Sequence, residues 1–259
     1  MFYDLSTVTV VLLVLAMFSA GFVDAIAGGG GLIQTPAMLL AFPNNNPVSV
    51  VGTSKTAAFF GTSTAALKYR KSIKTDGRLL LAMVIPAFIG ACFGALLASN
   101  ISAQSFKSAI FFMMIAIFIY TLVKPDLGKI QVERHSRKKL MYLGGAAAFV
   151  IGFYDGLIGP GTGTLLMIFL VAVMGFAFVG ASAIAKVVNA MTNLASIIVV
   201  GLGVGILWKI GLFLAVANLA GGYAGSHVAI KKGSGFIRIF YLIVTGLLIV
   251  RLGYSLYIE

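Results

Sequence analysis

The chain has 259 residues, 60% of them hydrophobic and 10% charged, with a mean hydropathy of +1.05. A soluble domain carries about a quarter charged residues, so an ordinary water-soluble enzyme is excluded. The net charge of +12 does not point to nucleic acid either, because the cations gather in two short segments between apolar runs, Lys68–Arg78 and Lys124–Lys139. Loops of that kind obey the positive-inside rule and face anionic lipid headgroups.

Ten apolar runs follow one another at 5–27, 31–42, 48–67, 79–99, 104–123, 140–158, 162–178, 180–203, 206–230 and 236–256. A span needs about 20 apolar residues, which makes 31–42 short and 162–178 marginal. The first run follows Met1-Phe2-Tyr3-Asp4, which has no basic n-region, and reads as a retained helix rather than a cleaved signal. Three breaks stand out: Gly28–Gly31, Pro43–Pro47 and Gly159–Gly163. The lone Cys92 leaves no intrachain disulfide.

The runs fall into two sets of five. Gly21-Phe22-Val23-Asp24 matches Gly152-Phe153-Tyr154-Asp155 at an offset of 131 residues. The same offset pairs Gly28 with Gly159, Gly30 with Gly161, Lys55 with Lys186, Gly90 with Gly221 and Gly94 with Gly225. The sequence therefore predicts an all-α polytopic membrane protein built by duplication, a plan common among secondary transporters. The first repeat would cover 1–123, a basic cytoplasmic linker 124–139 and the second repeat 140–259.

Five crossings per repeat would invert the halves; re-entrant 31–42 and 162–178 would make them parallel. Excluding Lys55 and Lys186, the inverted arrangement puts 14 cations inside and 3 outside, the parallel one 13 and 4. Inversion is favoured because the parallel arrangement strands the Lys231-Lys232 pair outside.

Four charged residues lie within apolar runs: Asp24, Lys55, Asp155 and Lys186. Each costs about 2.5–3.5 kcal/mol at a helix centre on insertion scales, which marks a functional site. Lys186, Asn189 and Asn193 share one helix face, as do Lys55 and Thr62. After each break a new helix would turn free N–H groups toward the gap, from Gly29 and Gly30 in one repeat and from Gly161 and Thr162 in the other. Two lysines and two helix starts make a cradle for a small oxyanion. The aspartates would neutralise the lysines or relay protons. The bland alternative is that the Lys–Asp pairs only fasten helices together. Gly90-x-x-x-Gly94 and Gly221-x-x-x-Gly225 read as packing faces. His227, which pairs with Leu96 at the repeat offset, reads as structural or interfacial, and Trp208 as an interfacial anchor.

These residues resemble the sulfite exporter TauE/SafE family, also called the toluene sulfonate uptake permeases. The likeness runs from Gly21 to about Gly253 and rests on GFVDAIAGGGGLIQTP (Gly21–Pro36), Gly52-Thr53-Ser54-Lys55, GFYDGLIGPGTG (Gly152–Gly163), Ala185–Asn189 and Thr192-Asn193. Ser54 stands where the family often has asparagine, so no ligand role is carried to it. The resemblance implies a multi-pass permease of the bacterial inner membrane for sulfite, sulfoacetate or other organosulfonates. It points to Asp24, Lys55, Asp155, Lys186, Asn189 and Asn193 as site residues.

The expected function is a secondary transporter working by alternating access. Lys55 and Lys186 would neutralise the anion. Asn189, Asn193 and Thr62 would donate hydrogen bonds, and Asp24 and Asp155 would couple protons. Its partners would be the sulfur anion, membrane lipid and protons, with no cofactor, metal or nucleic acid. An uncoupled anion channel could use the same site. An intramembrane aspartyl protease would need Asp24 and Asp155 to share a proton.

Overall fold

Within hydrocarbon every backbone polar group must be satisfied inside its own segment, so long apolar runs become helices. The computed structural model describes residues 5–72, 75–123 and 136–232, together with Gly246, Leu247, Ile249, Val250, Gly253 and Tyr254. Most of the predicted basic linker, at 124–135, and most of the last apolar run, 236–256, lie outside the described residues.

The elements are α1 (Thr7–Ala27), α2 (Gly31–Ala41), α3 (Pro47–Ser72), α4 (Gly77–Ala98), α5 (Ala103–Val123), α6 (Arg137–Leu157), α7 (Thr162–Ile168), α8 (Phe178–Leu202) and α9 (Trp208–Lys232). A π-helical turn, Phe169–Val173, extends α7. Among the described residues no strand occurs. By length and composition α1, α4, α6, α8 and α9 can each cross a membrane. Their outward residues, such as Leu12, Leu15, Leu81, Ile85, Val150 and Val216, are apolar and exposed, as a lipid-facing surface requires. The protein is an all-α, multi-pass membrane protein.

Contacts between small residues fix the helix directions. Phe18 packs on Gly221 and Phe22 on Gly225, so α1 and α9 run the same way. Gly211 meets Thr53 and Gly222 meets Gly61, which sets α3 parallel to α9. Ala82, Ala87 and Ala91 meet Gly145, Gly152 and Gly156, so α4 and α6 are also parallel. By contrast Gly52 lies against Val200 while Lys55 reaches Ser196, so α3 and α8 run in opposite directions. With α1 and α3 both parallel to α9, α2 must carry the chain back between them; its 11 residues span about 17 Å.

The predicted packing faces close without room for a Cβ. One added at Gly90 or Gly94 would strike the carbonyl oxygens of Phe149 and Phe153, and one at Gly221 or Gly225 those of Phe18 and Phe22. Shifting either pair of contacts by 131 residues, with partners exchanged, generates the other.

The same directions gather the charges. Lys68, Arg70, Lys71, Arg78, Arg137, Lys138, Lys139 and Lys231 lie at the end where α3 and α9 finish and α4 and α6 begin. Lys107 and Lys209 lie near the opposite end. At the basic end Lys68 sits 3.7 Å above the Tyr223 ring, and exposed His227 follows one turn later on α9. Trp208, half-exposed at the start of α9, fits an interfacial anchor.

Asp76 joins two helix starts at that basic end. Its Oδ1 accepts from the Arg78 N–H at 3.0 Å, capping α4, and its Oδ2 lies 2.7 Å from Arg137 Nη2 on α6. The Arg78 amide first, then Arg137, holds the carboxyl below its ordinary range. The folded state therefore favours the charged form. Its contribution is present above the unfolded value of about 4 and is lost as pH falls through the lower folded value. In detergent melts from about pH 6 down to pH 3, Asp76→Asn, which still caps but cannot titrate, is expected to show a shallower acid-side loss than the native chain. Equal slopes would place the acid sensitivity elsewhere.

Candidate functional site

Two helices break inside the bundle, and glycine permits each break. Helix α1 stops where Gly28 takes φ 78° and returns its N–H to Asp24 O at 2.9 Å, and α2 begins with Gly30 as its cap. Helix α6 stops at Ile158, and Gly159 (φ 94°) and Gly161 (φ 85°) lead into α7. Left-handed backbone of this kind is costly for residues with a Cβ. The two breaks cross: a Cβ on Gly28 would overlap the Gly163 backbone, and Thr164 Oγ1 donates to Ala27 O at 3.3 Å.

Each buried lysine holds the end of the other half's broken helix. Lys186 Nζ donates to the Asp24 carbonyl and lies 3.1 Å from Asp24 Oδ2. Lys55 Nζ donates to the Asp155 carbonyl, lies 2.9 Å from Asp155 Oδ2, and donates to Ser196 Oγ at 3.1 Å. The two ion pairs are related by the 131-residue offset with the halves exchanged. All four residues are buried, so each charge relies on its partner and on the hydrogen bonds around it. Thr62 Oγ1 donates to Asp24 Oδ2 at 3.2 Å, and Thr162 Oγ1 lies 2.7 Å from both Asp155 Oδ1 and Gly159 O.

A polar cavity opens where the breaks cross. Of the residues expected from sequence, Asp24, Gly30, Lys55, Thr62, Asp155, Gly161, Thr162, Asn189 and Asn193 line it. Lys186 and Gly29 do not. Lys186 is 0% exposed, withdrawn behind Asp24, and Gly29 turns its carbonyl to the Leu32 amide in the first turn of α2. The hydroxyls of Thr62 and Thr162 serve the aspartates. Asn189 (6% exposed) and Asn193 (4%) put amide side chains on the cavity wall, while the buried side-chain atoms left without a hydrogen-bond partner among the described residues are Ser54 Oγ and Asp155 Oδ2. Gln34 and Asn218 also line the cavity, and the repeat comparison does not find them, because their counterparts at the offset are Leu165 and Ala87.

A family model described as sulfite exporter TauE/SafE matches residues 13–252. The chain belongs to that family. A probable membrane transporter protein, ORF9, of a Sinorhizobium species is 36% identical over 96% of this chain and 94% of its own length. A probable membrane transporter protein of Haemophilus influenzae is 35% identical over 92% of each chain. The probable membrane transporter protein YfcA of Escherichia coli is 33% identical over 91% of this chain and 86% of its own. No solved structure matches. The family and these relatives make the chain a bacterial membrane transporter and not an enzyme. In the structure Asp24 and Asp155 are each paired with a lysine.

Proposed function

We propose that this TauE/SafE protein is a secondary transporter of a small sulfur-containing anion, sulfite or an organosulfonate, bound where the two helix breaks cross. The observation that carries the reading is the pair of amide side chains, Asn189 and Asn193, which line the cavity beside Lys55. An amide side chain on a cavity wall offers N–H donors, and an oxyanion would supply the acceptors. The α2 start at Gly30 adds N–H groups and the positive end of a helix. Gly161 and Thr162 would complete the wall, with Thr162 and Thr62 acting through the aspartates they hold.

In this proposal residues 1–123 and 140–259 are inverted repeats joined by the basic linker 124–139 at the cytoplasmic face of the inner membrane. Support comes from the exchanged contacts at the 131-residue offset. It also comes from the opposite directions of α3 and α8 and from Lys231 lying beside the basic ends of α3, α4 and α6. Alternating access then follows from rocking one half against the other, each held to its partner by one Lys–Asp pair.

Two lysines and two aspartates sum to zero charge, so a bound monoanion, an organosulfonate or sulfite in its hydrogensulfite form, leaves the buried site at −1. Protonating Asp24 or Asp155 as the anion displaces it from its lysine restores neutrality, which couples the anion to one proton. Sulfite flux into proteoliposomes is expected to rise with a pH gradient directed the same way. In Asp155→Asn the gradient should lose that effect. Flux indifferent to the gradient in the native protein would favour an uncoupled channel instead.

A further inference from the structure

The Gln34 side chain is buried (4% exposed) on α2, on the opposite side of the sequence repeat from the two asparagines, and it lines the same cavity. Its orientation is fixed by a chain of bonds whose ends are both backbone carbonyls. Asn218, on α9 and 2% exposed, donates from Nδ2 to Met17 O at 3.2 Å and to Gln34 Oε1 at 3.0 Å. Gln34 Nε2 donates to Ser54 O at 3.4 Å. A carbonyl only accepts, so Met17 O demands the NH2 of Asn218. That NH2 then demands the oxygen of Gln34, which leaves the Gln34 NH2 toward Ser54 O. Turning either amide over would set donor against donor or oxygen against oxygen at two contacts.

The Gln34 NH2 has two protons, and the 3.4 Å bond to Ser54 O takes one of them, weakly. The other has no protein acceptor among the described residues. We infer that Gln34 is a further substrate donor, giving the site an amide from the first half to set against Asn189 and Asn193 from the second, and that Asn218 is its positioning residue. The inference rests on the anion reading above. A fixed donor here selects for a ligand oxygen that only accepts, and Gly61 leaves the space into which the Asn218 carbonyl oxygen fits.

Sulfite binding to the detergent-purified protein tests this, by titration calorimetry on the native chain, Gln34→Met, Asn218→Leu, the double variant and Asn189→Ala. Gln34→Met keeps the length and loses the donor. It is expected to weaken sulfite about tenfold, the worth of one hydrogen bond to a charged group, with a lower anion-free melting temperature because the Asn218 amide and the Ser54 carbonyl each lose a partner. Asn218→Leu keeps the shape but frees the Gln34 amide to turn, and should weaken sulfite to a similar degree. The double variant should be no weaker than Gln34→Met alone, because both act through one donor. Additive losses would make Asn218 merely structural and overturn its positioning role. If Asn189→Ala weakens sulfite and Gln34→Met does not, the inference on Gln34 fails while the anion site stands. If the native protein binds no sulfite, the anion site itself falls, and this inference with it.

Discussion

Lys186→Met is expected to destabilise the protein by about 3–5 kcal/mol and to abolish anion flux, although Lys186 does not line the cavity. Removing one partner of a buried ion pair strands the other charge, and that is the source of the cost. Here the stranded group is Asp24, which among the described residues would keep only the Thr62 hydroxyl as a neutral side-chain donor. The α1 end would also lose the ammonium that now holds its Asp24 carbonyl. Adding Asp24→Asn to Lys186→Met removes the stranded charge and should recover most of the lost stability in a detergent melt. It should recover no flux in proteoliposomes, because the link between the halves is still missing. A single variant that keeps native flux would show the pair to be a fastener alone. Lys55→Met should follow the same course, stranding Asp155.

The second large effect is expected at the crossing of the breaks. Gly28→Ala asks a left-handed φ of 78° of a residue with a Cβ and drives that Cβ into the Gly163 backbone. The first demand alone costs about 1–2 kcal/mol, and backbone on both sides leaves no flexible atom to yield. Gly28→Ala and Gly163→Ala should each yield little folded protein after membrane extraction. Gly159→Ala is a graded case: its φ is also left-handed, but the nearest atom is Lys55 Cε, the movable end of a long side chain. That variant should fold, melt lower and bind anion less well. Gly77→Ala, with nothing within 4 Å of the added Cβ, should be neutral. Native-like yield from Gly28→Ala would mean that the breaks do not cross as described.

Much of the site was legible because charge inside an apolar run is expensive and therefore conspicuous. Asp24, Lys55, Asp155 and Lys186 stood out for that reason, and helix spacing placed Asn189 and Asn193 on one face. Spacing also marked Gly28 and Gly159 as breaks. What one-dimensional pattern does not carry is which helix faces which. The exchange that sets Lys55 on Asp155 and Lys186 on Asp24 is a property of packing, as is the withdrawal of Lys186 from the cavity. Gln34 and Asn218 escaped for a different reason. Neutral amides are cheaper to bury than charges, and neither has a polar counterpart at the repeat offset. Gly29 lies off the cavity lining while Gly28, Gly30 and Gly31 lie on it, and a glycine run marks a break without telling which of its residues turn inward.

The central claim is that the cavity at the crossed breaks binds a sulfur oxyanion through Asn189 and Asn193. Its most direct test is the melting temperature of the detergent-purified protein across sulfite, thiosulfate, sulfate, small organosulfonates and carboxylates, beside the Asn189→Ala/Asn193→Ala variant. That variant leaves both Lys–Asp pairs in place, so its anion-free melt should resemble the native one. We predict a selective rise with one sulfur anion in the native protein that disappears in the variant. No rise with any anion, or an equal rise in the variant, would contradict the claim.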